Sequence, residues 1–353
     1  MSNLLKDYSG KKILVTGHTG FKGAWLARIL VLAGADVYGL ALEADTNSLF
    51  DVAGDLGFKE SMILDIRNRA GIEKYFAAHN FDGVFHLAAQ PLVRRSYKEP
   101  IETFDTNVMG TAHVLNAIVT NKSSKWVVAI TTDKVYRNVE KLEGYIEDDS
   151  LGGKDPYSAS KAATEMVVSA WQTIASQLQD KISICAARAG NVIGGGDTAE
   201  DRLIPDLIRG FHAGTKTIIR NPDSIRPWQH VLDPLNGYLT MGSALMAGKN
   251  ISPAYNFGPG EESKLTVEQM AHYACAQWDG SQGIDIQVSD SALHEAGLLW
   301  LSSELATKEL GWSNRFEAQE AIRWTIEWEK ESMKSSPLSA LDAQINKYYG
   351  VQS

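Results

Sequence analysis

What most constrains this chain is a rhythm: through its first half, short apolar, β-rich runs alternate with longer stretches of helical periodicity. The runs cover residues 12–16, 36–42, 62–64, 83–87, 126–130 and 182–187, and helical patterns over 21–33, 71–78, 103–120 and 157–177 lie between them. Runs that stay apolar, rather than alternating with polar residues, predict strands buried on both faces. Strands separated by helices must run parallel. The predicted fold class is therefore α/β, a Rossmann-type doubly wound parallel sheet, in which ligands bind beyond the carboxyl ends of the strands.

After residue 188 the rhythm gives way to segments rich in Gly, Pro, Asn and Asp, such as "GNVIGGGD", "RNPDSIRPWQH" and "NFGPGEES". This predicts a dinucleotide-binding domain over 1–188. Residues 189–353 then form mainly a smaller, C-terminal substrate-binding part, with helices over 266–278 and 316–334 and some segments returning to the first part. The tail beyond Lys334 reads as polar, a short helix or partly loose.

Composition narrows the functions open to such a sheet. With a net charge of −9 the chain offers no broad basic surface for nucleic acid or anionic membrane, so any phosphate must be bound locally. The two cysteines, Cys185 and Cys275, argue against a disulfide framework or a thiolate metal site, and no metal is expected. The start "MSNLLKDYSGKK" is too short and polar for a signal peptide, and no apolar stretch approaches a membrane span, so a soluble, cytoplasmic protein is expected. Asn121-Lys122-Ser123 matches a glycosylation pattern but reads as a surface turn.

Between the first strand and first helix, "GHTGFKG" places Gly17, Gly20 and Gly23 at three-residue spacing, followed in part by Phe21. Glycines there allow a tight turn and close backbone approach to a pyrophosphate seated on the helix N-terminus, the arrangement of a dinucleotide site. The stretch Leu40-Ala41-Leu42-Glu43-Ala44-Asp45 carries two acids and no base for a 2′-phosphate, which favours NAD over NADP, with Glu43 the candidate ribose partner. Asp65 and Ile66, ending the third run, are candidates for an adenine clamp.

"DPYSASK" opens the helix over 157–177 with Tyr157 and Lys161 four apart, on one face and about 5–6 Å from each other at Cβ. An ammonium beside a phenol favours phenolate. A tyrosine of lowered pKa can take a proton from a sugar hydroxyl while the carbon passes its hydride to a nicotinamide, and the hydroxyl of Thr132 can orient the alcohol. This is alcohol oxidation without metal.

These features, with "HLAAQ" at residues 86–90, resemble the extended, nucleotide-sugar branch of the short-chain dehydrogenase/reductase superfamily. "HTGFKGAWL", "HLAAQPLVRRSY", "TNVMGT", "GGKDPYSASKAATEMVV", "RAGNVIGGGD" and "IRNPDSIRPWQHVLDPLNGYL" together look most like the CDP-glucose 4,6-dehydratase family. The resemblance implies bound NAD, with Ala88 and Ala89 joining the cofactor contacts. It also implies a nucleotide-sugar substrate and a homodimer or dimer of dimers built through two helices per subunit. It further implies Asp133 as the acid that expels the C6 hydroxyl and Lys134 as the base that takes the C5 proton, once C4 has been oxidised. Each role demands a shifted pKa, promoted by burial and opposed by a tight mutual ion pair. The family's usual Ser-Asp-Lys-Cys-Tyr is here Thr132-Asp133-Lys134-Val135-Tyr136.

On the substrate side, Asn191 lies beside a glycine run and is expected at the diphosphate. Arg226 is read as a phosphate ligand against a structural salt bridge, and Arg202 as a weaker phosphate candidate against a solvated helix charge. Gln90 is set between sugar or ribose contact and loop scaffolding, while Trp228 and His230 read as packing. Residues 278–283 and Glu295-Ala296-Gly297-Leu298-Leu299-Trp300 depart from the family pattern and could reshape the sugar pocket. No residue visibly reads the base, so another nucleotide hexose, a 4-epimerase or reductase, and a non-catalytic dinucleotide sensor stand as alternatives.

Overall fold

A computed structural model describes residues 3–179, 181–287 and 298–351. Its centre is a seven-stranded sheet made of β1 (Lys12–Thr16), β2 (Asp36–Ala41), β3 (Glu60–Ile63), β4 (Gly83–His86), β5 (Trp126–Ile130), β6 (Ser183–Ala189) and β7 (Ala254–Phe257). All pairings in it are parallel and the order is β7-β6-β5-β4-β1-β2-β3. The Rossmann-type expectation is borne out. The chain winds outward from β1 through β2 to β3, returns to β4 on the other side of β1, and winds outward again. The crevice where the winding reverses therefore opens beyond Thr16 and His86, which are register partners.

Side chains of successive strand residues point to opposite faces, and each face has its own core. Ile13, Val15, Trp126, Val128, Cys185 and Ala187 belong to one, with the helices Phe21–Leu32 and Leu232–Met246. Leu14, Val127, Ala129, Ile184 and Ala186 belong to the other, with Arg69–Ala78, Thr111–Asn121 and Pro156–Ser176. A third core packs Leu203–Ala213 and Val267–Gln277 against Ala318–Lys334. That last helix gives Ile322 and Ile326 to the third core but Trp324 and Trp328 to the first, joining the C-terminal part to the sheet.

Three sequence expectations change. The helix anticipated over 103–120 begins at Pro100 and passes through a π-helical turn, Asp105–Gly110, before continuing as Thr111–Asn121. The turn aims Asn107 at the loop after β4: Asn107 accepts from Gln90 N (2.8 Å) and donates to Gln90 O (3.1 Å) and Ser160 Oγ (2.9 Å). π turns of this kind cluster at functional sites. The third strand is a mostly exposed edge, which is why its apolar signal was short.

The tail is not loose. Pro337–Tyr349 forms a helix whose Leu341, Ile345, Tyr348 and Tyr349 are buried, and Tyr348 donates to Asp233 (2.8 Å) at the start of Leu232–Met246. Its apolar stripe is interrupted by enough polar residues to mask it in composition, but it repeats at helical spacing. Arg28 adds a forked pair to Asp342 (2.6 Å). Leu341→Ala is expected to destabilise the protein by about 2–4 kcal/mol through the lost contacts and the cavity left behind; an unchanged denaturant midpoint would mean the tail contributes nothing to the core.

Candidate active site

The glycine turn after β1 has the shape a pyrophosphate needs. Gly17 has φ +74°, and a Cβ built there would lie 2.7 Å from Ala88 N; one on Gly23 would lie 2.1 Å from Gly17 O. These two glycines let the turn, the helix and the loop after β4 close on one another. Gly20 differs, since the nearest atom to its Cβ position is Gly17 O at 3.4 Å, so its outer face is a cradle for a close ligand. Gly20 is also the N-cap of Phe21–Leu32 and, among the described residues, no side chain caps that end, which leaves first-turn N–H groups for an anion. The residues fit a dinucleotide.

The neighbouring strand ends are tied together. Thr16 Oγ1 lies 2.7 Å from His86 Nδ1 and accepts from Ala88 N at 3.2 Å, while His86 Nε2 lies 3.0 Å from Thr111 Oγ1. Ala89 follows in the same loop. Phe21 lies against Gly194. Asp65 accepts from the Arg67 guanidinium (2.6 Å) and backbone (2.8 Å), Ile66 packs over Gly110, and Glu43 is exposed.

β5 ends at Ile130, and the candidate groups Thr132, Asp133 and Lys134 follow directly. Asp133 is buried to 2% and accepts from Thr132 Oγ1 (2.9 Å); Lys134 Nζ sits 3.1 Å from Asp133 Oδ1 and 3.4 Å from Asn191 Oδ1. The opposing ion pair foreseen from the sequence is thus present. Gly190 makes room for it, since a Cβ there would lie 3.2 Å from Asp133 Oδ2.

Tyr157 and Lys161 are both buried on the helix capped by Asp155 and started by Pro156. The expected lowering of the Tyr157 pKa is not what the protein alone produces: burial pushes the phenol up to about 12, against which a hydrogen bond from Thr132 works. Burial brings Lys161 down to about 8, with Glu165 opposing, and its ammonium reaches Ile130 O at 3.5 Å.

Arg202, paired to Asp197 (3.1 Å), is close enough to Tyr157 to act on its charge and so points into the cleft. Arg226 lies on the strand Ile225–Pro227 and donates to Ile225 O (2.9 Å). Gln90 spends its amide inside its own loop, on Leu92 N (2.6 Å), Leu92 O (3.1 Å) and Thr103 Oγ1 (2.9 Å), which is the scaffolding alternative. Trp228 and His230 are buried, the latter ringed by Trp25, Phe316 and Trp324. Of the divergent stretch at 295–300, residues 295–297 lie outside the described residues; Trp300 stacks under Lys264, 3.4 Å from its ring centre.

Three side chains were passed over in the sequence. Lys22 enters the same cleft, and burial lowers it to about 7, helped by Arg202 and opposed by Asp133. His18 packs over Gly39, with Nε2 2.7 Å from Ser61 Oγ; burial lowers it to about 4. Both stand inside the glycine turn, where a basic residue between glycines was the available signal. Glu165 was visible only as a third member of the four-residue spacing Tyr157, Lys161, Glu165.

Known proteins agree with this geometry. The chain is 45% identical to CDP-glucose 4,6-dehydratase of Salmonella typhimurium over 331 residues, 92% of this chain and 91% of the relative. It is 28% identical to dTDP-glucose 4,6-dehydratase 1 of Escherichia coli over 344 residues, 90% of this chain and 92% of the relative. The fold matches that of dTDP-glucose 4,6-dehydratase from Bacillus anthracis, solved in complex with NAD, with a TM-score of 0.76 at 19% identity over 94% of this chain and 100% of the other. Residues 14–325 match the GDP-mannose 4,6 dehydratase family, and with the glycine turn, the Tyr157-Lys161 pair and that coverage the chain belongs to this family.

Proposed function

We propose that the protein is a CDP-glucose 4,6-dehydratase that converts its substrate to CDP-4-keto-6-deoxyglucose with bound NAD. The observation that carries this reading is the run Thr132-Asp133-Lys134, its first two residues buried and its lysine partly so, in a chain that also carries the buried Tyr157 and Lys161 and is 45% identical to a CDP-glucose 4,6-dehydratase. The glycine turn with Gly17, Gly20, Phe21 and Gly23 holds the pyrophosphate of the dinucleotide, and Asp65, Ile66, Ala88 and Ala89 line the rest of its site. The two acids after β2, with no base beside them, suit a free ribose. When bound, the nicotinamide supplies the two-electron oxidant for C4 and the reductant for C6 within one turnover.

The chain's own residues move the protons. Tyr157 takes the C4 hydroxyl proton, Thr132 orients that hydroxyl, and Lys161, four residues on along the same helix face, supplies positive charge for the forming phenolate, while Thr132 and Arg202 oppose the burial that raises the phenol. Oxidation at C4 acidifies the C5 proton, which Lys134 accepts, while Asp133 donates a proton to the C6 hydroxyl and water leaves. A hexose entering between Asp133 and Lys134 parts their ion pair as the ammonium proton passes to the carboxylate, which leaves a neutral acid and a neutral base. With hydride restored to C6, Lys134 returns its proton to C5, the C4 proton held by Tyr157 passes to Asp133, and the sum is substrate minus one water. Asn191, Arg202 and Arg226 take the diphosphate, where the guanidinium groups supply local positive charge within a chain of net charge −9.

Exposed apolar residues on two neighbouring helical segments, Ile101, Phe104 and Met109 on one and Met166 and Ile174 on the other, suit a homodimer through those helices, alone or as a dimer of dimers. The two free cysteines suit a reducing cytoplasm. Among the described residues no helix is long and apolar enough to cross a membrane.

The test is to incubate purified protein with a panel of nucleotide hexoses, adding no cofactor. A product lighter by one water is expected from the CDP-hexose first; a C4 epimer of unchanged mass would favour a 4-epimerase in which Asp133 and Lys134 form only a salt bridge. Lys134→Ala should still oxidise C4, trapped as deuterium at C4 with borodeuteride, but release no dehydrated product; loss of both would assign Lys134 to binding or folding. Tyr157→Phe should lower C4 trapping by about 10²–10⁴-fold, and unchanged trapping would remove the phenol from the reaction.

A further inference from the structure

The Glu165–Arg188 pair is buried to about the level of the core, with both side chains only 5–6% exposed. Arg188 Nε and Nη2 donate to the two carboxylate oxygens at 3.0 and 2.9 Å. A forked ion pair at such depth is a poor source of stability, because desolvation consumes most of its Coulombic gain and apolar pairs of similar volume often serve as well. Where its remaining hydrogen bonds go is therefore informative.

Glu165 Oε1 also accepts from Thr131 Oγ1 at 2.5 Å, one residue before Thr132. Arg188 Nη1 donates to Tyr136 Oη at 2.7 Å, two residues after Lys134, and Tyr136 donates on to Asn256 Oδ1 (2.8 Å) on β7. The pair thus grips both ends of the short stretch that carries Thr132, Asp133 and Lys134. Arg188 does so from β6, and Glu165 from the helix that carries Tyr157 and Lys161, on which it stands one turn beyond Lys161 on the same face.

We infer that Glu165 is a positioning residue: through Thr131 and Arg188 it sets the reactive stretch against the Tyr157–Lys161 face, and its carboxylate keeps the Lys161 ammonium charged. The inference rests on the reading that Tyr157 and Lys161 oxidise C4. Lys161 is faced by Tyr157 and Glu165 from its own helix, by Ile130 O from β5, by His86 from β4 and by Lys22 from Phe21–Leu32, with Arg188 behind Glu165. Among these groups, His86 is held neutral by burial and Lys22 is a second cation, so Glu165 supplies the compensating charge. Burial already takes Lys161 down to about 8; without the carboxylate it falls further, and the cation, present below its pKa, is lost at lower pH.

The experiment is the pH profile of C4 oxidation in a single turnover, read as deuterium trapped at C4, alongside unfolding midpoints. Glu165→Gln is expected to move the alkaline limb toward acid by about one pH unit or more, whereas Glu165→Asp keeps it near the wild-type position. The joint variant Glu165→Leu with Arg188→Met removes both charges, so it avoids an unpaired buried arginine and should fold; it is expected to show the same acid-ward shift. Thr131→Val keeps both charges and is expected to lower kcat about tenfold at unchanged KM. A folded joint variant with the wild-type profile, or Thr131→Val with wild-type kcat, overturns the inference even where midpoints fall. Failure of the oxidation reading is distinct, since the wild-type protein would then trap no deuterium at C4.

Discussion

The arrangement depends on β1 and β4 lying side by side while the chain winds away from them in opposite directions. Because the two strands are parallel register partners and buried apart from Lys12, their carboxyl ends meet the same layer, and the loops after them lead off in opposite directions. The glycine turn closes on Ala88 only because Gly17 and Gly23 lack side chains at points where a Cβ would collide with backbone. One constraint of packing thus opens a crevice for a dinucleotide and fixes the edge against which β5 delivers Thr132, Asp133 and Lys134.

Within that crevice, burial is the dominant electrostatic effect, and it acts on opposite charges in opposite senses. It raises the Tyr157 phenol to about 12 and lowers the Lys161 and Lys22 ammonium groups to about 8 and 7, so groups of nearly equal strength in water are driven apart and the phenol holds its proton more tightly than either lysine. A phenolate in that crevice therefore depends on positive charge and hydrogen bonds brought to it, and Thr132 and Arg202 already act in that sense.

Much of this was readable in advance. The six apolar runs before residue 188 all proved to be strands; the central ones were plain because a strand buried on both faces has no way to disguise its composition, while the third, an exposed edge, showed only a short run. β7 was not singled out: four residues between Pro253 and Gly258 are too short to stand out by periodicity. The C-terminal helix was underrated because its apolar stripe is diluted by polar residues facing water, and only its docking on Asp233 and the first core shows what the stripe is for. In the candidate site, spacing along one helix was enough to place Tyr157 and Lys161 on one face, and adjacency placed Asp133 and Lys134 beside Thr132.

Local sequence by itself determined the elements that depend on near neighbours: the glycine turn, the helix face with its four-residue spacing, and the polar run that ends β5. Tertiary structure alone decided which distant groups share a buried volume. Glu165 reaches Thr131 and Arg188 across 34 and 23 residues of chain, Lys134 meets Asn191 across 57, and Gln90 turns away from the cleft to brace its own loop. The physical reason is that a hydrogen bond or a desolvated charge depends on distance and burial in space, and neither is written in the order of residues until the sheet has packed its two faces.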